Sequence, residues 1–136
     1  MQAQITHSTK IQVTFGDCDP AGIVYYPNNY RWFDFTFHDW LRTMGGHAAL
    51  CRTLGAVGIG LMDSGARFRA PIRDGDLLQI DMRIEDWGPK ALRLGYTSRV
   101  GDTVVVSGFE LRGLFVPSPR GISGGDMATF RTLIGL

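Results

Sequence analysis

The chain has 136 residues, 14 Lys and Arg against 13 Asp and Glu for a net charge of +1, and a hydrophobic fraction of 44%. That length suits one domain, read here as residues 1–136, with a core large enough to need no disulfide framework. The balanced charge excludes a general nucleic-acid or membrane-surface binder, which would be far more basic, and leaves room for a local group of cations.

Cys18 and Cys51 are widely separated and form no Cys-x-x-Cys pair. Two reduced thiols in a reducing cytoplasm are expected. The opening Met1-Gln2-Ala3-Gln4-Ile5-Thr6-His7 lacks the charged-then-apolar pattern of a signal peptide, and no apolar run approaches the length of a membrane helix.

In chain order, Ile11, Val13 and Phe15 alternate with Gln12 and Thr14, which predicts a short half-buried strand over 10–15. Gly16 ends it, and Asp17-Cys18-Asp19-Pro20-Ala21-Gly22 is rich in turn formers. From Pro27 the period becomes helical: Tyr30, Phe33, Phe37, Trp40, Leu41 and Met44 share one face. Pro27 suits the first helical position and Gly45-Gly46 a C-terminal stop. Trp32 and Phe35 lie off that face, so the helix reads as apolar nearly all round and buried, about 25 Å long.

The second half reads as strands. Residues 57–69 lead to the turn Pro71-Ile72-Arg73-Asp74-Gly75-Asp76. Leu78, Ile80, Met82 and Ile84 then alternate strictly with polar neighbours, and Leu92, Leu94 and Tyr96 do so after the turn Trp87-Gly88-Pro89-Lys90. Gly101-Asp102 turns into a long strand over Thr103–Val116, and Gly124 to Leu133 reads as a last short helix. One strand, one buried helix and four consecutive strands imply an antiparallel sheet curled around the helix: an α+β arrangement, the hotdog fold.

The sequence carries no phosphate loop, dinucleotide fingerprint or nucleophile elbow. His7, His38 and His47 have no metal-ligand spacing, so neither a metal nor a cofactor is expected. What remains is the loop from Phe15 to Tyr30, which sets two carboxylates just upstream of a helix N-terminus. Free N–H groups there attract negative charge and could polarise a carbonyl under attack. The same pattern also describes a plain capped turn.

The run Gly16-Asp17-Cys18-Asp19-Pro20-Ala21-Gly22-Ile23-Val24, followed by Tyr26-Pro27-Asn28, closely resembles the active-site stretch of the 4-hydroxybenzoyl-CoA thioesterase family of hotdog proteins. The resemblance is dense over 11–34 and looser through about 116. It implies an acyl-CoA thioesterase acting on an aromatic or short acyl group. By position it puts the catalytic carboxylate on Asp19, as nucleophile or as base for water, and the carbonyl-polarising backbone N–H on Tyr26. Asp17 is expected to shape the loop, and Cys18, with no histidine partner, to be a packed side chain.

Asp34 matches a helix position that faces the substrate's ring hydroxyl in that family; it is either an acyl-pocket wall or a partner of His38 one turn on. The family's basic residues after the Trp matching Trp87 are reduced here to Lys90, behind Gly88-Pro89, with Arg67, Arg69 and Arg73 as candidates to compensate for contacts with the coenzyme phosphates. The resemblance also implies a homo-oligomer, dimer or homotetramer, with the pocket between subunits and the long 103–116 strand buried at the interface. Competing readings are a thioesterase for carrier-protein-bound acyl chains and a non-catalytic acyl-CoA-binding protein.

Overall fold

The computed structural model describes residues 3–136; Met1 and Gln2 of the opening segment lie outside the described residues. Strand β1 covers Ile5–Gln12, and helices α1 (Pro27–Arg42) and α2 (His47–Leu54) follow it. Then come β2 (Gly58–Phe68), β3 (Leu77–Trp87), β4 (Leu92–Val100), β5 (Thr103–Ser118), β6 (Gly121–Gly124) and α3 (Met127–Leu133). All strand pairings are antiparallel, in the order β1-β3-β4-β5-β2, with β6 also on β5.

The core forms where the inner face of the sheet meets α1. Leu78, Ile80 and Met82 of β3, Leu92, Leu94 and Tyr96 of β4, and Val106 and Leu114 of β5 are buried together with Phe33, Phe37 and Leu41 of the helix. Each such side chain contributes about 1.5–3 kcal/mol by leaving water. Phe33 stacks on Tyr96 with ring centroids 4.5 Å apart. It comes this close because β5 carries Gly108 beneath it, where a Cβ would run into the Phe33 ring. The helix is therefore seated on the sheet at one fixed height.

Four expectations need correction. The first strand is Ile5–Gln12 rather than 10–15, and Phe15, expected on its buried side, is 81% exposed in a 3-10 turn over Phe15–Asp17. Pairing with β3 decides the matter: residues 5–12 face residues 77–83, while the Val13 N–H already bonds to Asp76 O. β1 joins the helix partly through polar contacts, Thr9 Oγ1 to Thr36 Oγ1 at 2.7 Å and His7 Nε2 to Asp39 Oδ2 at 2.8 Å, so apolar alternation is weak there.

Second, α1 is not apolar all round. Arg31, Asp34 and Phe35 are exposed, so one side of the helix is open. Third, β2 does not pair with β3; residues 69–76 carry the chain across to the far side of β5. Fourth, β5 is interior, held between β4 and β2, and the edges of the sheet are β2 on that side and β1 on the other. Helix α2 and strand β6 were not anticipated. β6 is exposed throughout and so leaves no pattern to read.

Candidate active site

The Gly16–Gly22 run folds as a small hairpin. Cys18 bridges Val24, Asp19 N–H donates to Ile23 O, Tyr25 N–H donates to Asp17 O, and Gly22 N–H closes the tip onto Asp19 O, each hydrogen bond at 2.9 Å. Gly22 takes φ +80°, a left-handed conformation that glycine adopts without steric cost. The Val24 N–H donates to Ile72 O, and Asn28 Nδ2 donates to Asp17 O, so the hairpin is tied to both the 69–76 link and the first turn of α1.

The two aspartates meet different surroundings. Asp17 Oδ2 accepts from the Thr14 N–H at 2.9 Å and the Thr14 hydroxyl at 3.1 Å, and its other oxygen faces Arg31 at 3.5 Å. Its carboxylate is occupied in holding the loop. Asp19 is half-buried at the hairpin tip, where Oδ1 accepts the Ala21 N–H at 2.9 Å and Oδ2 has no protein partner among the described residues.

Tyr26 sits at the base of the same hairpin as the N-cap of α1, followed by Pro27 in the first helical position. Its N–H has no protein acceptor among the described residues. Asp19 and Tyr26 are thus two ends of one loop, separated by three residues beyond the Asp19–Ile23 bond, roughly 10 Å of extended chain. Asp19 does not line the cavity nearest the hairpin base. Tyr26 lines a small cavity of about 90 Å³ with Asn29, Phe68, Ile72 and Val106. The rings of Tyr25, Tyr26 and Phe68 form an exposed aromatic patch, Tyr26 lying 5.5 Å from Tyr25 and 6.2 Å from Phe68.

Asp34 lies two turns into α1 with a partner that sequence reading missed. Its Oδ1 accepts from Arg112 Nη2 at 2.9 Å, and His38 Nε2 lies 3.5 Å from the same oxygen. Arg112 is buried over the Phe37 ring at 4.2 Å, and its Nε and Nη2 fork onto Glu110 at 3.1 and 2.9 Å. The Tyr96 hydroxyl donates to Glu110 at 2.6 Å. Burial raises the Glu110 carboxyl, with the Arg112 charge opposing. Burial, then the Glu110 charge, pushes the Tyr96 phenol well above its ordinary range. Burial lowers His38, with Asp34 opposing. One signal was readable: Glu110 and Arg112 fall in phase with Val106 and Leu114, two charges on the buried side of a strand.

Lys90 is not brought to this site. It is exposed, its Nζ donates to Gly124 O at 3.2 Å, and it lies past the far end of β3 from the Asp19 hairpin, on the order of 30 Å along the strand. Arg67 and Arg69 line a groove of about 460 Å³ with Arg93, Glu85 and Phe109, on the side of the sheet facing away from α1. Both cysteines are free, and Cys18 Sγ lies 3.7 Å from Thr14 O. Among the described residues no three His, Cys, Asp or Glu side chains converge as a metal site requires.

The model of the Thioesterase-like superfamily matches residues 13–118, and the chain belongs to that family. Its α+β architecture is the hotdog fold of the solved thioesterases. In sequence it is 33% identical over 93 residues to the 4-hydroxybenzoyl-CoA thioesterase of Pseudomonas sp. (strain CBS-3), covering 67% of this chain and 64% of that enzyme. It is 25% identical over 99 residues to the 1,4-dihydroxy-2-naphthoyl-CoA hydrolase of Prochlorococcus marinus (strain MIT 9313), covering 68% and 66%. These alignments span just under two thirds of each relative's length. The solved Pseudomonas enzyme superposes with a TM-score of 0.78 at 26% identity, over 93% of this chain and 96% of that one. A gentisyl-coenzyme A thioesterase superposes with a TM-score of 0.74 at 27% identity, over 88% and 94%.

Proposed function

We propose that the chain, as one hotdog domain over 1–136, hydrolyses an acyl-coenzyme A thioester whose acyl group is aromatic. One observation carries this reading: a single rigid hairpin presents the Asp19 carboxylate at its tip and the unengaged Tyr26 N–H at its base, at the start of α1. The three relatives above, each named for an aromatic acyl-CoA, support the substrate class.

Tyr26 N–H donates to the thioester carbonyl oxygen, more strongly as that oxygen becomes negative. The Asp19 carboxylate then acts in one of two ways. As nucleophile it bonds to the carbonyl carbon, the C–S bond breaks, the coenzyme thiolate takes a proton from water, and a second water splits the anhydride. As base it takes a proton from a water that attacks the same carbon, the C–S bond breaks, and the leaving thiolate receives that proton. Both routes yield the free acid and the coenzyme thiol, and neither needs a metal or cofactor.

The exposed Tyr25, Tyr26 and Phe68 rings and the open β2 edge favour a site closed by a second copy of the chain, which would supply the missing wall beside Asp19. Lys90 would then reach the coenzyme phosphates from another subunit. Free-thiol release, followed across aryl-, short- and long-chain acyl-CoA substrates, tests the reading. Turnover is expected with the aryl thioesters foremost; tight binding without turnover of any of them would overturn it in favour of an acyl-CoA-binding protein.

A further inference from the structure

The chain Tyr96–Glu110–Arg112–Asp34 runs from the middle of the sheet to the open side of α1, and the packing of Tyr96 on Phe33 does not account for its two buried charges. Burying a guanidinium and a carboxylate carries a large desolvation cost, and apolar residues of the same volume would often hold the core as well or better. The three inner members are all but sealed, with Tyr96, Glu110 and Arg112 at 1%, 2% and 2% exposure. Only the outermost member, Asp34, reaches solvent, its side chain 55% exposed. The network therefore ends on one carboxylate that is anchored from behind and free in front.

That anchoring is directional. Arg112 Nη2 and His38 Nε2 both approach Oδ1, leaving Oδ2 without a partner among the described residues. Arg112 cannot swing, because Phe37 lies flat beneath it and Glu110 takes its fork. With Arg112, Glu110 and Asp34 ionised, the cluster carries one net negative charge. It suits a neutral hydrogen-bond donor and repels a second carboxylate. Asp34 is eight residues beyond Tyr26, about 12 Å along the helix. An aromatic acyl group with its carbonyl on Tyr26 and a para hydroxyl on Asp34 can bridge that span.

We propose that Arg112 is a positioning residue for acyl recognition: it fixes the Asp34 carboxylate so that Oδ2 accepts a hydrogen bond from a hydroxyl on the acyl ring. This rests on the thioesterase reading above, and the test separates the two. The substrates are 4-hydroxybenzoyl-CoA and benzoyl-CoA, which differ only in that hydroxyl. The wild-type protein should prefer the hydroxylated substrate by at least about tenfold in kcat/KM, as sites built to receive a hydroxyl do. In Arg112→Met the preference should shrink to within about threefold, through a raised KM for the hydroxylated substrate. Arg112→Lys, which keeps the charge and loses the fork, should fall between.

A preference that survives Arg112→Met overturns the proposal. If that variant fails to fold, Arg112→Lys carries the test, and a wild-type preference in it overturns the proposal equally. Equal wild-type turnover of both substrates overturns it while leaving the thioesterase reading intact. Turnover of neither, nor of any other acyl-CoA, brings down both.

Discussion

Asp17 and Asp19 are two residues apart and chemically alike, and their hydrogen bonds assign them different work. Asp17 has both oxygens engaged with Thr14 and Arg31, whereas Asp19 keeps one oxygen unbonded. Asp19→Asn should reduce kcat by at least about a thousandfold in a thiol-release assay with little change in folding. Asp17→Asn should instead lower stability by about 1 kcal/mol in a denaturant titration and cost far less activity. Equal kinetic losses would show that the roles are misassigned. His38 allows a second residue-scale prediction. Its neighbours are Asp34, Arg112, His47 and Arg42, and burial lowers its pKa below the ordinary 6.5. Below pH 6.5 the unfolded chain thus binds the proton more readily than the folded one. The His38 contribution is fully present above 6.5 and declines as pH falls from there towards the lower folded value. The drop in denaturation midpoint between pH 7 and pH 5.5 should therefore be smaller in His38→Gln than in the wild type.

At the scale of elements, the parts readable beforehand were those in which local pattern and tertiary demand agree. β3 and β4 alternate strictly because one face packs on α1, and α1 starts at Pro27 because proline has no N–H to leave unsatisfied. β1 was misplaced because Thr9 and His7 make its contacts to the helix by hydrogen bonding, which hydropathy does not register. The hairpin was legible as a turn, and by resemblance as an active-site loop. Its anchor on Ile72 and the Arg112 tether on Asp34 were not, since both join segments dozens of residues apart. Gly108 is a tight joint between β5 and α1. Gly108→Ala should push Phe33 off β5 and destabilise the protein by about 1–3 kcal/mol, seen as a lowered thermal midpoint.

For the whole molecule, the open β2 edge and the Tyr25–Tyr26–Phe68 patch lie at the end of the sheet that carries the candidate site. Sedimentation should show an even-numbered oligomer. Phe68→Asp should dissociate it and lower kcat/KM by at least about tenfold, because the site loses its second wall; a fully active monomer would refute a shared site. The strand order also bears on how the chain is made. Among the described residues β2 has β5 as its one strand partner, which begins 35 residues after β2 ends, and β1 waits for β3 across a gap of 65 residues. A ribosome-bound intermediate stopped before residue 103 would hold α1 with its Phe33 and Phe37 rings only partly covered. Folding of this protein should accordingly be slow for its size and vulnerable to aggregation until the last long strand emerges.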